Sequence, residues 1–262
     1  MIIDGRKIAQ EILARVKART EKLGRRPNVL AYVSPDETSA TRSYLKIKAR
    51  SAEDAGCDFE ETRSLTFSDR ADAIIVQLPL PSGVVTADVL NSIPVEKDAD
   101  VLSLAARGKF EKNEAGALLP PVVGAVREIC AHASVEVKGR NAVIIGNGWL
   151  VGNPCAIWLA QQGATVSVMT SKSKDLSAAL RAADIIVSGT GSPHLIKPDM
   201  LKDGVVLIDA GTSESGGTIA GDADPACAEK CSLFTSVPGG VGPIAVACLF
   251  ENAVTLAERA VL

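Results

Sequence analysis

Asn141-Ala142-Val143-Ile144-Ile145-Gly146-Asn147-Gly148-Trp149-Leu150-Val151-Gly152-Asn153-Pro154 reads as a strand that runs directly into a glycine-rich turn and then into a helix reaching Gln162. Its uncharged apolar run suits the interior of a parallel sheet, where both faces are covered. Glycines at such a turn let the backbone approach a pyrophosphate, and the helix N-terminus then presents free N–H groups to it. The spacing departs by one residue from G-x-G-x-x-G, so a merely tight strand-to-helix turn is the alternative. The context favours the dinucleotide reading, because Thr165 to Met169, Asp184 to Thr190 and Val205 to Asp209 supply the further strands of a doubly wound parallel sheet.

The end of the second strand bears on the choice of dinucleotide. NAD binders normally carry Asp or Glu there for the ribose hydroxyls. Here Thr170-Ser171-Lys172-Ser173-Lys174 contains no acid, and its hydroxyls and two lysines suit a 2′-phosphate. NADP is therefore expected, with NAD the alternative if Lys172 and Lys174 are ordinary solvated charges.

Upstream, strands are expected at Asn28 to Ser34 and Ala73 to Leu78, with helices near Lys7 to Leu23, Ala40 to Ala55 and Thr86 to Ile93. Phe59 to Leu65 also looks like a strand, but only Thr66 to Asp72 separate it from Ala73. A crossover between parallel strands takes about a dozen residues or more, so this run is expected to pair antiparallel or to lie outside the sheet. Pro94 to Leu119 shows little periodicity and reads as loops; its place after Gln77-Leu78-Pro79-Leu80-Pro81 makes it a candidate for lining a cleft. A boundary is expected near Pro120-Pro121, where the helix Val122 to Ala133 opens the more regular second half. Within the second expected helix, Tyr44 and Lys48 are four residues apart and leave one face together. A lysine beside a phenol in apolar surroundings can have its pKa lowered by desolvation and act as a neutral base. The alternative is a half-buried core tyrosine and a surface lysine.

The 262 residues, 47% hydrophobic and 23% charged, suit an ordinary globular protein of one or two domains. A net charge of −3, without a Lys/Arg stripe and interleaved aromatics, argues against a nucleic-acid partner and for a small molecule. Met1-Ile2-Ile3-Asp4-Gly5-Arg6-Lys7 leads into an amphipathic helix with Ile8, Ile12, Leu13 and Val16 on one side, unlike a signal peptide. No uninterrupted apolar run reaches membrane-spanning length, so a cytoplasmic protein with no membrane partner is expected. Cys57, Cys130, Cys155, Cys227, Cys231 and Cys248 show no metal-like spacing and read as reduced thiols. His132 and His194 lie outside any ligand array, so neither a metal site nor a Ser-His-Asp triad is expected.

Further motifs occur in a definite order: Ile3-Asp4-Gly5, Ala40-Thr41 with Tyr44 and Lys48, Val76 to Pro81, Lys97-Asp98-Ala99-Asp100, Val151-Gly152 with Pro154, Ile208-Asp209 with Gly211, Gly221-Asp222, and Val237-Pro238-Gly239-Gly240-Val241-Gly242-Pro243. Over essentially its whole length the chain resembles the bifunctional methylenetetrahydrofolate dehydrogenase/methenyltetrahydrofolate cyclohydrolase family, the FolD-type enzymes of one-carbon metabolism. The resemblance implies an α/β folate-binding domain, residues 1–120 with 243–262. It implies a Rossmann-type NAD(P)-binding domain at 121–242, a cleft between the two, and a homodimer.

The implied activity is NADP-dependent oxidation of 5,10-methylenetetrahydrofolate to the methenyl form, followed by hydrolysis to 10-formyltetrahydrofolate. The same resemblance makes Lys48 the central catalytic residue, with Tyr44 orienting it, Gln77 hydrogen-bonding it and Asp100 holding the pterin ring. Leu78, Pro238, Gly239 and Gly240 join the substrate side; Gly146, Asn147, Gly148, Val151, Gly152, Ser171, Lys172 and Gly211 fall on the cofactor side. Hydride loss leaves a cation stabilised by two nitrogens, so the first step needs positioning above all. Hydrolysis needs a group that cycles its proton, the part expected of Lys48.

The chain departs from the family pattern in several places. Gly146-Asn147-Gly148 stands where Gly-Arg-Ser is usual, so a phosphate-binding arginine is missing. Leu119-Pro120-Pro121-Val122 replaces Pro-Cys-Thr-Pro, Val101 a glycine and Thr41 a serine. Roughly a helix's length is absent between Lys48 and Gln77. Beside the bifunctional enzyme, these changes leave open an enzyme with one of the two activities and a non-catalytic folate- or nucleotide-binding protein.

Overall fold

Strands and helices alternate along the chain in a computed structural model that describes residues 1–64, 70–81, 83–215 and 218–261. The first half carries β1 (Ile2–Ile3), α1 (Gly5–Leu23), β2 (Asn28–Tyr32), α2 (Ser39–Ala55), β3 (Asp58–Thr62), β4 (Ala73–Val76), α3 (Thr86–Asn91) and α4 (Leu104–Glu111). The second half carries α5 (Pro121–His132), β5 (Asn141–Ile145), α6 (Gly152–Gln161), β6 (Thr165–Met169), α7 (Leu176–Ala182), β7 (Ile185–Ser188), β8 (Val205–Asp209), β9 (Ser213–Ser215), β10 (Thr218–Ala220), β11 (Cys231–Thr235) and α8 (Val241–Arg259). Two compact units result, Ala9–Pro121 with Val246–Leu262 and Met1–Ile8 with Val122–Ala245.

In the unit Ala9–Pro121 with Val246–Leu262, three parallel strands lie in the order β3-β2-β4. Helix α2 starts at Thr38, whose side chain accepts from the Thr41 N–H at 3.1 Å, and ends at Gly56 with φ 74°; both are the local signals that stop a helix at these points. Leu45, Ala52 and Ala55 are its buried side. Helix α8 is long and apolar enough to cross a membrane by length and composition, which the sequence reading did not anticipate. Its Phe250, Ala253, Val254, Leu256 and Ala257 are buried within the fold, as in a core helix.

The expectation for Phe59 to Leu65 is corrected here, since β3 pairs parallel with β2, Val29 facing Phe59. The strand ends at Thr62, so the ten residues Arg63 to Asp72 make the crossover to β4. Returning along a five-residue strand takes about 17 Å and crossing two strand spacings about 10 Å, whereas ten extended residues reach about 33 Å. Ten residues therefore have the reach to cross without a helix. Residues 65–69, and with them most of the Thr66 to Asp72 connector, lie outside the described residues. Arg63 holds its start, donating to the Val33 carbonyl at 3.3 Å and to the Ser34 carbonyl, and pairing with Glu37 at 2.8 Å. Asp72 holds its end, accepting from both Arg25 NH groups at 2.7 and 2.6 Å and from the Asn28 N–H at 2.8 Å.

Pro94 to Leu119 is likewise not all loop. It contains α4, capped by Ser103, whose hydroxyl accepts from the Ala106 N–H at 3.2 Å. With Leu256, Arg259 and Ala260, parts of this segment line a cavity of about 730 Å³ at the start of β4.

In the other unit, six parallel strands follow the order β1-β11-β8-β7-β5-β6. From β5 onward this is a doubly wound sheet, with the order reversing between β5 and β7. Val143, Ile145, Leu180, Ile186, Leu207 and Phe234 share one of its buried faces. The expected first domain beginning at residue 1 differs at its start, because β1 adds to this sheet beside β11. Gly5 explains why: its N–H donates to the Gly239 carbonyl at 3.0 Å, and a Cβ would overlap the Gly240 carbonyl oxygen. Helix α8 begins at Val241, two residues before the expected return to the first domain at 243. Pro243 sits in its first turn, where a missing N–H costs nothing.

Candidate active site

Lys48 lies on α2 and its Nζ donates to Gln77 Oε1 at 3.1 Å, while Gln77 Nε2 donates to the Leu78 carbonyl at 2.9 Å. Gln77 follows β4 directly, and its own N–H still bonds the Tyr32 carbonyl at 2.9 Å, so the sheet sets its position. Asp98 bridges to Ile74 in parallel register, and Asp100, two residues further on in the turn, lies close enough for the Lys48 charge to act on its carboxyl. Asp98 itself is wholly buried and caps the turn beyond, accepting from the Leu102 and Ser103 N–H groups at 3.0 and 2.8 Å. Burial pushes the Asp100 carboxyl up to about 6. The Lys48 charge opposes that rise and the Asp98 charge adds to it. Lys48, Gln77 and Asp100 thus form one polar group at the carboxyl end of a parallel strand, where such sheets place their chemistry.

Tyr44 lies one turn before Lys48 on the same helix face and is 40% exposed. Neighbouring Leu45 takes the buried position instead. Leu78 contributes its carbonyl to Gln77, while its side chain packs on the core with Leu80 and Val84. Pro238, Gly239 and Gly240 belong to the other unit, beside Gly5.

The residues expected on the cofactor side gather at the carboxyl ends of β5, β6 and β8. Gly146 closes β5 with φ 92°, and Gly152 opens α6 so close to it that a Cβ would overlap the Gly146 carbonyl oxygen. This cradle tolerates no side chain at either end and leaves Asn147, Gly148, Trp149 and Leu150 exposed. No side chain caps α6, so the positive end of its dipole stays open to an anion. After β6, Ser171, Lys172 and Lys174 are exposed on a tight turn in which the Ser173 hydroxyl accepts from the Thr170 N–H at 2.9 Å. The next acid, Asp175, is committed to capping α7 through the Ala178 N–H at 2.9 Å. Gly211 follows β8 and donates to Asp209 Oδ1 at 2.9 Å.

All six cysteines are free. Burial raises Cys57 and Cys231 to about 12 and Cys130 and Cys227 to about 11, which removes them as nucleophiles near neutral pH. Among the described residues no cluster could hold a metal ion. Sequence reasoning missed Asn252, whose Nδ2 donates to the Ala99 and Leu119 carbonyls, both at 2.9 Å, and so braces the turn carrying Asp100. An amide flanked by the apolar run before it and Ala253-Val254 after it was the available signal.

Residues 120–261 match the family model described as tetrahydrofolate dehydrogenase/cyclohydrolase, NAD(P)-binding domain. The bifunctional protein FolD of Aquifex aeolicus (strain VF5) is 34% identical over 99% of this chain and 96% of its own length. Among solved structures, the FolD methylenetetrahydrofolate dehydrogenase/cyclohydrolase of Campylobacter jejuni is 32% identical with a TM-score of 0.94, covering 99% of both chains. The Trypanosoma brucei enzyme, solved with NADP cofactor and inhibitor, is 30% identical with a TM-score of 0.93 over 100% of this chain and 98% of its own. With the Lys48–Gln77–Asp100 group and the Gly146–Gly152 cradle in place, the chain belongs to the tetrahydrofolate dehydrogenase/cyclohydrolase family.

Proposed function

We propose that the protein oxidises 5,10-methylenetetrahydrofolate to 5,10-methenyltetrahydrofolate with NADP and hydrolyses the product to 10-formyltetrahydrofolate. The observation that carries this reading is the Lys48–Gln77 hydrogen bond beside Asp100. The glycine cradle suits a dinucleotide, since a Cβ at Gly152 would fill the space its backbone needs. Gly146, Asn147, Gly148, Val151 and Gly152 would hold the pyrophosphate, with Ser171 and Lys172 at the ribose and Gly211 further along. When bound, NADP supplies the hydride acceptor.

The chain's own residues do the rest. Asp100 anchors the pterin ring and Tyr44 presents its ring to the same substrate, so the methylene carbon is oriented before reaction. Lys48, steered by Gln77, moves the proton that hydrolysis requires at the departing ring nitrogen. NADP is favoured over NAD because the loop after β6 offers two lysines and its nearest carboxyl is engaged as a cap. Asn147, neutral and exposed on the turn, favours a second reading in which only one activity, or only binding, is kept. The resemblance alone supports a cytoplasmic homodimer, for which sedimentation velocity and cell fractionation are the measurements.

The experiment mixes native protein with 5,10-methylenetetrahydrofolate and NADP or NAD and follows reduced cofactor and methenyl product, with Lys48→Met alongside. Native protein is expected to reduce NADP faster than NAD and to form the 10-formyl product. Lys48→Met is expected to lose hydrolysis by about a hundredfold or more. Tight binding of folate or dinucleotide without turnover would put the second reading first.

A further inference from the structure

Two buried carboxyl groups join the ends of β7 and β8, and the mechanism above uses neither. Asp222 and Ser188 are wholly buried and Asp209 is nearly so. Asp222 Oδ2 accepts from the Ser188 hydroxyl at 2.6 Å and from the Thr190 N–H at 2.7 Å, and Oδ1 accepts from the Ser192 N–H at 2.8 Å. The Asp222 carbonyl also accepts from the Ile196 N–H at 2.9 Å. One residue therefore ties down the end of β7 and the loop that follows it. Asp209 secures Asp222 in turn, since it closes β8 and accepts from the N–H of the adjoining Ala223 at 2.8 Å.

On its far side this loop meets the glycine-rich turn. The Gly189 carbonyl oxygen and Thr190 Cγ2 stand 3.0 and 3.3 Å from where a Cβ on Gly146 would be. Gly189 itself lies so near Val151 that a Cβ there would overlap the valine side chain. Any slackening of residues 188–192 is thus passed to the Gly146–Gly152 turn by direct contact.

A dinucleotide in a doubly wound fold straddles the point where strand order reverses, with its adenosine ribose at the end of the second strand. Here that strand is β6, so the nicotinamide half falls on the β7 and β8 side. We propose that Asp222 is a positioning residue for the nicotinamide half of the cofactor, holding the loop after β7 against the glycine-rich turn. This rests on the cofactor reading given above.

The test is calorimetric binding of NADP and of adenosine 2′,5′-bisphosphate, a fragment carrying only the adenosine half, to native protein and to Asp222→Asn. The amide cannot accept from both the Thr190 and Ser192 N–H groups, so NADP affinity is expected to fall about tenfold or more while fragment affinity stays within about twofold. The KM for NADP should rise in step, with a smaller change in kcat. Equal weakening of both ligands, or of neither, would overturn the proposal. Native protein that binds neither ligand would remove the cofactor reading itself and this inference with it. Should Asp222→Asn fail to fold, Ser188→Ala removes one of the three bonds and is expected to weaken NADP about threefold, again sparing the fragment; no such split would count against the proposal.

Discussion

Val101 holds φ at 56° while its side chain is 1% exposed, and the two facts pull in opposite directions. A left-handed backbone costs a branched residue about 1–2 kcal/mol. Replacing it with glycine forfeits about 2 kcal/mol of apolar burial and about 1 kcal/mol of chain entropy. Val101→Gly, although it restores the residue the family pattern leads one to expect, should therefore destabilise by about 1 kcal/mol in urea unfolding. A stabilised variant would show that the strain outweighs the packing. Next to it, Asp100 is raised from 3.8 to about 6, chiefly by burial, so the fold disfavours its ionised form. Its contribution to stability is fully present below its ordinary pKa and is lost as pH rises through about 6. Asp100→Asn is expected to change stability little at pH 4 and to raise it by about 2 kcal/mol at pH 8; equal effects at both pH values would contradict the assignment.

Among the elements, the strand-turn-helix of β5 and α6 was plain in the sequence because its requirements are local: an apolar run, then glycines where two backbone segments nearly touch. Gly152→Ala puts a methyl group onto the Gly146 carbonyl. It is expected to displace the start of α6, weaken dinucleotide binding by tenfold or more, and leave unfolding of the other unit unchanged by hydrogen exchange. Helix α4 was not plain, although Ser103 was a legible cap, because its eight residues, LAARGKFE, include a buried arginine and a glycine that blur the apolar face. β3 is legible as a strand, but it pairs parallel with β2, where antiparallel pairing or a place outside the sheet is expected. Its connection to β4 is anchored at Arg63 and Asp72, whose partners are Ser34, Glu37 and Arg25, and ten residues have the reach to make it without a helix.

For the molecule as a whole, Asn252 shows what distance along the chain conceals. Its amide donates to carbonyls 153 and 133 residues away, and Asn252→Ala leaves both short of a donor. A loss of about 2–3 kcal/mol is expected in the unit that carries Asp100, measured by denaturant unfolding; a neutral substitution would mean that water replaces the amide. Periodicity, glycine placement and ordered motifs in the sequence by themselves determined the α/β class, the doubly wound second half, the dinucleotide turn and the Tyr44–Lys48 face. Each of those depends on neighbours within a few residues or on a pattern repeated along the chain. The parallel direction of β3, the union of β1 with the second sheet, the approach of Gln77 and Asp100 to Lys48, and the bracing by Asp222 and Asn252 were decided only by tertiary structure. Their hydrogen-bond partners are brought together by sheet register, and no local preference of the chain encodes which distant carbonyl or carboxyl group a given side chain will meet.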